Sequence, residues 1–270
     1  MKIKVLKFGG TSVGSVEAIK RSASIICDWS KKSKVIVVLS AMSGETDRLI
    51  NLTKSFSKSP NPVDFDNAIS TGENLSCALM SIYLNNQKTK SKSLHSWQIP
   101  IMTSSEHMKS RILSINKKFL LNELENLDVL VVPGFQGINE RREITTLGRG
   151  GSDTSAVAVA AAMDAECIIY TDVEGVFTTD PNIVPNAKKI NKISYEEMLE
   201  LASQGAKVLQ TRSVELAMRK NTKLSVRSSL KPKKIGTIIT DEKSVLEKNT
   251  VSGIAYTKDE AKITCLLYTS

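Results

Sequence analysis

Five mainly aliphatic runs, at 3–8, 35–39, 129–132, 167–171 and 224–227, constrain this chain more than any other feature. A strand with one face in water alternates apolar and polar residues, whereas continuously apolar runs suit strands buried on both faces. Helical patterns separate these runs, at about 16–30, 45–57, 64–86, 109–126, 154–163, 195–203 and 211–220. Buried strands joined by helices pair in parallel, because a crossover returns the chain to the edge where it started. The expected fold is therefore a three-layer α/β/α sandwich with a mainly parallel central sheet. The segment 134–146 breaks the rhythm: Gly134, Gly137 and a polar turn from Asn139 predict a hairpin.

A length of 270 residues suits two domains or one large α/β unit, and either can bury a full core. No repeat or low-complexity tract divides the chain. Polar residues over 231–248 read as a linker, leaving 1–230 as the main domain. Residues 251–264 then begin a strand-like pattern that is not completed, so a further domain is expected to be cut short, with a fragmentary or chimeric ending after Cys265.

Lys plus Arg exceed Asp plus Glu by 37 to 28, a net charge of +9. The lysines are scattered or sit in polar connections, without the interleaved aromatics of a single-strand binding surface, so no nucleic-acid partner is expected. The longest apolar stretch, 156–163, is too short to span a bilayer, and no membrane partner is expected. Cys27, Cys77, Cys167 and Cys265 are far apart, without a CxxC pair, and with His95 and His107 they predict no metal site. They read as reduced thiols. The N-terminus runs straight into a strand pattern without a signal peptide, and a cytoplasmic location is expected.

Two glycine-rich segments carry the chemistry. The run KFGGTSV at 7–13 falls where a strand gives way to a helix; Gly9 and Gly10 allow close backbone approach, and free amides at the helix start attract an anion. It matches neither the dinucleotide-binding nor the P-loop fingerprint. The run LGRGGSDT at 147–154 has the same character: Ser152, Asp153 and Thr154 can cap the helix that follows, while Gly148, Gly150 and Gly151 bare several amides and Arg149 offers a cationic fork. An anionic substrate suits it.

Six blocks in order resemble the aspartate kinases of the amino-acid kinase family: KFGGTSV at 7–13, SAMSG at 40–44 with Thr46, TGE at 71–73, GRGGSD at 148–153, TDVEGVFTTDP at 171–181 and GAKVLQTRS at 205–213. They cover residues 1 to about 230, and 249–270 resembles the incomplete start of that family's ACT regulatory region. The resemblance implies the amino-acid kinase fold and ATP-dependent phosphorylation of the aspartate side-chain carboxylate to 4-phospho-L-aspartate, the first step toward lysine, threonine and methionine. ATP and L-aspartate would be its partners, Mg²⁺ would be held through the ATP phosphates, and a homo-oligomer is expected. With the ACT region incomplete, no inhibition by lysine or threonine is expected of residues 1–270.

Carried over residue by residue, the resemblance implies catalytic roles for Lys7, Asp153 and Lys207. Ser40, Thr46, Glu73, Arg149, Gly150, Gly151 and Ser152 would surround aspartate, with Arg149 gripping a carboxylate and Glu73 accepting from the α-ammonium. Lys7, Phe8, Gly9, Gly10, Ser12, Thr171, Asp172, Phe177, Asp180, Asn182, Lys207 and Val208 would bind the nucleotide. Asn182 and Gln210 stand where the family usually has Arg and often has His. The implied chemistry is in-line phosphoryl transfer without a general base, since the attacking carboxylate is already ionised. Two alternatives remain: a kinase for another small acid such as glutamate or acetylglutamate, and a silent amino-acid sensor.

Overall fold

The computed structural model describes residues 2–206, 208–241 and 253–255. In chain order these form β1 (Ile3–Phe8), α1 (Gly10–Val13), α2 (Val16–Ser30), β2 (Lys34–Leu39), α3 (Glu45–Phe56), α4 (Pro62–Ile69), α5 (Thr71–Asn86), β3 (Ser91–Ser93), β4 (Ile101–Thr103), β5 (Ile112–Ile115) and α6 (Lys117–Glu125). There follow β6 (Val129–Pro133), β7 (Gln136–Ile138), β8 (Ile144–Thr146), α7 (Gly151–Ala162), β9 (Glu166–Thr171), β10 (Lys192–Ser194), α8 (Tyr195–Ser203), α9 (Thr211–Arg219), β11 (Leu224–Ser228) and β12 (Thr237–Thr240).

Eight strands make the central sheet, in the order β10-β12-β11-β9-β1-β2-β6-β3. All neighbours run parallel except β11 and β12. Its apolar runs follow from the layers. Val35, Val37 and Leu39 point into a core shared with α2 and α5, while Ile36 and Val38 point into a second core shared with α6, α7, α8 and α9. The same division recurs in β6 and β9, where Val129, Val131, Ile168 and Tyr170 face one layer and Leu130, Val132, Cys167 and Ile169 face the other. Each strand therefore needs apolar residues at successive positions.

The hairpin expected at 134–146 forms from β7 and β8, paired antiparallel with Gln136 opposite Thr146, and lies in a smaller sheet of order β5-β4-β7-β8. Three expectations need correction. The stretch 109–126 is not one helix: Ile112–Ile115 is a strand paired antiparallel with β4, and α6 starts only after Asn116, whose side chain accepts from the Phe119 amide. The helix expected over 64–86 breaks at Ser70, whose buried carbonyl accepts from Gln136 Nε2. The linker expected from 231 instead contributes β12, which pairs with both β10 and β11. Of the expected ACT segment only 253–255 is described, with the Ile254 amide donating to the Thr178 carbonyl at 2.7 Å; the rest lies outside the described residues.

Candidate active site

The parallel strands β1, β2, β6 and β9 all end on one edge of the sheet, the edge where open α/β sheets gather their ligands. Lys7 is next to last on β1. Because side chains alternate, it points to the same layer as Val5, toward α7. There its Nζ meets Asp153 Oδ1 at 2.6 Å, with the two side chains only 12% and 11% exposed. An ion pair so withdrawn from water is held by geometry on both sides, since either charge left alone would be costly to bury. Just beyond, the chain turns at Gly9 into α1. A Cβ on Gly10 would lie 3.0 Å from the Ala41 carbonyl, so the main chain here stays bare.

Asp153 belongs to the first turn of α7, the helix that the LGRGGSDT run leads into. Gly150 caps that helix in the left-handed conformation at φ +73, which a β-carbon disfavours. The turn leaves Arg149 exposed beside the helix start, while Ser152 and Asp153 are buried. On the other side, Glu73 sits in the first turn of α5 and is 3% exposed. Its Oε1 accepts from the Ala41 amide at 3.0 Å, and its Oε2 is buried with no partner among the described residues. Burial pushes its carboxyl up to about 7, against the smaller opposing pull of the Ala41 amide.

These groups share one cavity of about 400 Å³. Of the residues expected from the sequence, Lys7, Gly10, Ser40, Thr46, Glu73, Arg149, Gly150, Gly151, Ser152 and Asp153 line it. Others do not. Phe8 is fully buried and stacks on Tyr170, with ring centres 4.9 Å apart, and Ser12 is buried with its hydroxyl donating to Ser229 Oγ at 2.9 Å. Neither side chain lines the cavity. Thr171 ends β9, its hydroxyl donating to Asp172 Oδ1 at 2.9 Å, and lies beside Ser228 at the end of β11. Phe177 forms a backbone bridge with Lys189, Asp180 Oδ1 accepts from the Asn182 amide at 2.8 Å, and Val208 packs against the main core. Thr171, Asp172, Phe177, Asp180, Asn182 and Val208 thus stand outside this cavity, and Lys207 lies outside the described residues.

Asp47, Phe135 and Gln210 also line the cavity and were not expected there. Phe135 holds φ +68, unusual for a bulky residue, and a Cβ on Gly151 would sit 3.0 Å from its ring. No local pattern marks it. The bare Gly9 and Gly10 main chain beside the Lys7 cation suits a polyphosphate. Among the described residues no group of three or more His, Cys, Asp or Glu gathers as a metal set.

The Amino acid kinase family model matches residues 2–228. The chain belongs to the amino acid kinase family. It is similar to the aspartate kinase of Pseudomonas putida, at 49% identity over 98% of this chain and 65% of that protein. It thus spans about two thirds of the length of that relative. Among solved structures, the aspartate kinase of Synechocystis superposes with a TM-score of 0.78 at 44% identity, over 89% of this chain and 40% of that one. E. coli aspartokinase III, in complex with aspartate and ADP, does so with a TM-score of 0.78 at 26% identity, over 89% of this chain and 65% of that one. No helix among the described residues is long and apolar enough to cross a membrane.

Proposed function

We propose that this kinase transfers the γ-phosphoryl group of ATP to the side-chain carboxylate of L-aspartate, giving 4-phospho-L-aspartate and ADP. The observation that carries the reading is one cavity holding a cation for a carboxylate, Arg149, a carboxylate for an ammonium, Glu73, and the buried Lys7–Asp153 pair. A zwitterionic acid matches that charge set at both ends; a nucleotide acceptor does not. The likeness to relatives named aspartate kinase supports the same choice.

In this reading Arg149, with Ser152 and the amides at the start of α7, holds a substrate carboxylate, and Glu73 accepts from the α-ammonium. Lys7 faces the phosphoryl group. A side-chain carboxylate oxygen attacks the γ-phosphorus in line, the bond to the bridging oxygen breaks, and ADP leaves with the electron pair. The nucleophile is ionised at neutral pH, so no residue need remove a proton. Lys7 offsets charge that spreads over the transferring oxygens, and Asp153 keeps its ammonium aimed. Thr171, Asp172, Phe177, Asp180, Asn182, Lys207 and Val208 would hold the nucleoside end, with Mg²⁺ carried on the phosphates. Residues 1–230 form the catalytic domain in this scheme, working in the cytoplasm as a homo-oligomer.

ADP release measured with ATP, Mg²⁺ and separately aspartate, glutamate, acetylglutamate and UMP tests the reading. Turnover with aspartate alone is expected. Preference for glutamate would reassign the substrate, and aspartate binding without ADP would leave a sensor. Light scattering reads the oligomeric state.

A further inference from the structure

The turn from β8 to α7 follows a backbone path open mainly to glycine. Gly148 and Gly150 both hold positive φ, +77 and +73, and the residue between them is Arg149. Inside the turn the Gly151 amide donates to the Gly148 carbonyl at 3.0 Å and the Thr154 amide to the Gly150 carbonyl at 3.3 Å, while the Leu147 amide reaches out to the Phe135 carbonyl at 2.8 Å. Its fixed points come from outside. Thr146, the last residue of β8, is clamped through its amide and its hydroxyl by the two oxygens of buried Asp66, at 2.9 and 2.7 Å. One residue later, the Leu147 carbonyl accepts from Arg212 Nη1 at 2.9 Å, while Arg212 Nη2 donates to the Ser110 carbonyl at 2.8 Å.

Arg212 is an unusual choice for that task. It is half-buried near the start of α9, and among the described residues no carboxylate lies within ion-pair distance of it. Desolvation, and then repulsion from Arg111, lower its pKa below the ordinary arginine range. A cation kept under such conditions, with both terminal nitrogens donating to main-chain carbonyls of two separate segments, acts as a rigid fork between them. Gln210, two residues earlier, supplies the other brace: a Cβ on Gly150 would fall 2.1 Å from Gln210 Cγ, so this side chain fills the space that the glycine leaves. The turn carrying Arg149 therefore rests on the first turn of α9.

We infer that Arg212 is a positioning residue for the acceptor amino acid: its guanidinium, bridging the Leu147 and Ser110 carbonyls, fixes the turn that presents Arg149 to the cavity. The inference rests on the proposed phosphorylation of aspartate. It assigns Arg212 to acceptor affinity and leaves the phosphoryl step to Lys7, because the fork holds the turn and touches neither Lys7 nor Asp153 directly.

The test compares Arg212→Lys, Arg212→Ala and, as a control at the far end of the same helix, Arg219→Ala in the 270-residue chain. Lysine keeps the charge but cannot bridge two carbonyls in a plane. Arg212→Lys is expected to raise the aspartate KM about tenfold or more while kcat and the ATP KM stay within about threefold, with Arg219→Ala unchanged. Amide hydrogen exchange at 147–154 should quicken in Arg212→Lys while exchange in β1 does not. An unaltered aspartate KM, or aspartate and ATP KM values rising together, would overturn the assignment. Should the wild-type chain release no ADP with aspartate, the substrate reading fails separately. Exchange at 147–154 then decides the hold of Arg212 on the turn, faster supporting it and unchanged refuting it. If Arg212→Ala does not fold, Arg212→Lys gives the same readings.

Discussion

In the proposed reaction Lys7 and Asp153 do two jobs that mutation can separate. Lys7→Met removes the charge facing the phosphoryl group, and kcat should fall by about a hundredfold or more with aspartate affinity little changed. The same change strands Asp153 as a buried charge, at a cost of about 3–5 kcal/mol in stability. Adding Asp153→Asn should recover much of the stability, read from urea midpoints, and none of the turnover; joint recovery would show that Lys7 matters only for folding. Glu73 makes a different prediction. Its carboxyl is raised to about 7 from 4.5, so between those values the folded state holds a proton that the unfolded chain has lost, and stability falls as pH rises through that window. An ammonium placed beside the unpartnered Oε2 favours the ionised form, so aspartate binding near pH 6.5 should release a proton. Calorimetry in buffers of different ionisation enthalpy measures that release. Glu73→Gln should abolish it, and an equal release from the variant would move the proton elsewhere.

At the scale of elements, the site depends on how α7 begins. Gly150→Ala would face both the positive φ and the Gln210 side chain at 2.1 Å. We expect a destabilisation of at least about 1–2 kcal/mol from the backbone conformation alone, with aspartate binding weakened beyond what partial unfolding explains. Pairing it with Gln210→Ala should remove the clash and keep the strain, so thermal stability should return only in part. Full recovery would show that the left-handed conformation is not required. The elements that sequence periodicity misses share a cause. Strands β3, β4, β10 and β12 have three or four residues each, too few to express a period of two. Strand β5 and α6 blur together because Ile112 and Ile115 carry the spacing of a helix face while pairing with β4.

Across the whole molecule, stability rests on the two cores that sandwich the large sheet. Leu130, fully buried in the larger one, should cost about 2–5 kcal/mol when cut to alanine, read from the urea midpoint. Turnover of the folded fraction should hold, because Leu130 lies outside the cavity; a matching loss of kcat would tie the core directly to the site. What the sequence determines by itself is whatever is local or periodic: five central strands, the parallel sheet, the hairpin, and the two glycine-rich turns that need bare backbone. Its motifs also single out Lys7, Glu73 and Arg149, the groups on which the proposed reaction rests. Only the tertiary structure decides which of those residues share a cavity. Phe8 sits inside the first motif yet turns into the core on the face opposite Lys7, because strand positions alternate, and Ser12 is buried with its hydroxyl on Ser229. Phe135 reaches the cavity with no motif to announce it, and Gln210 and Arg212, though inside the block at 205–213, show only in the fold that they brace the turn at 147–151. Burial, too, appears only on folding: Glu73 becomes a carboxyl titrating near neutrality because α5 presses it against the Ala41 amide and away from water.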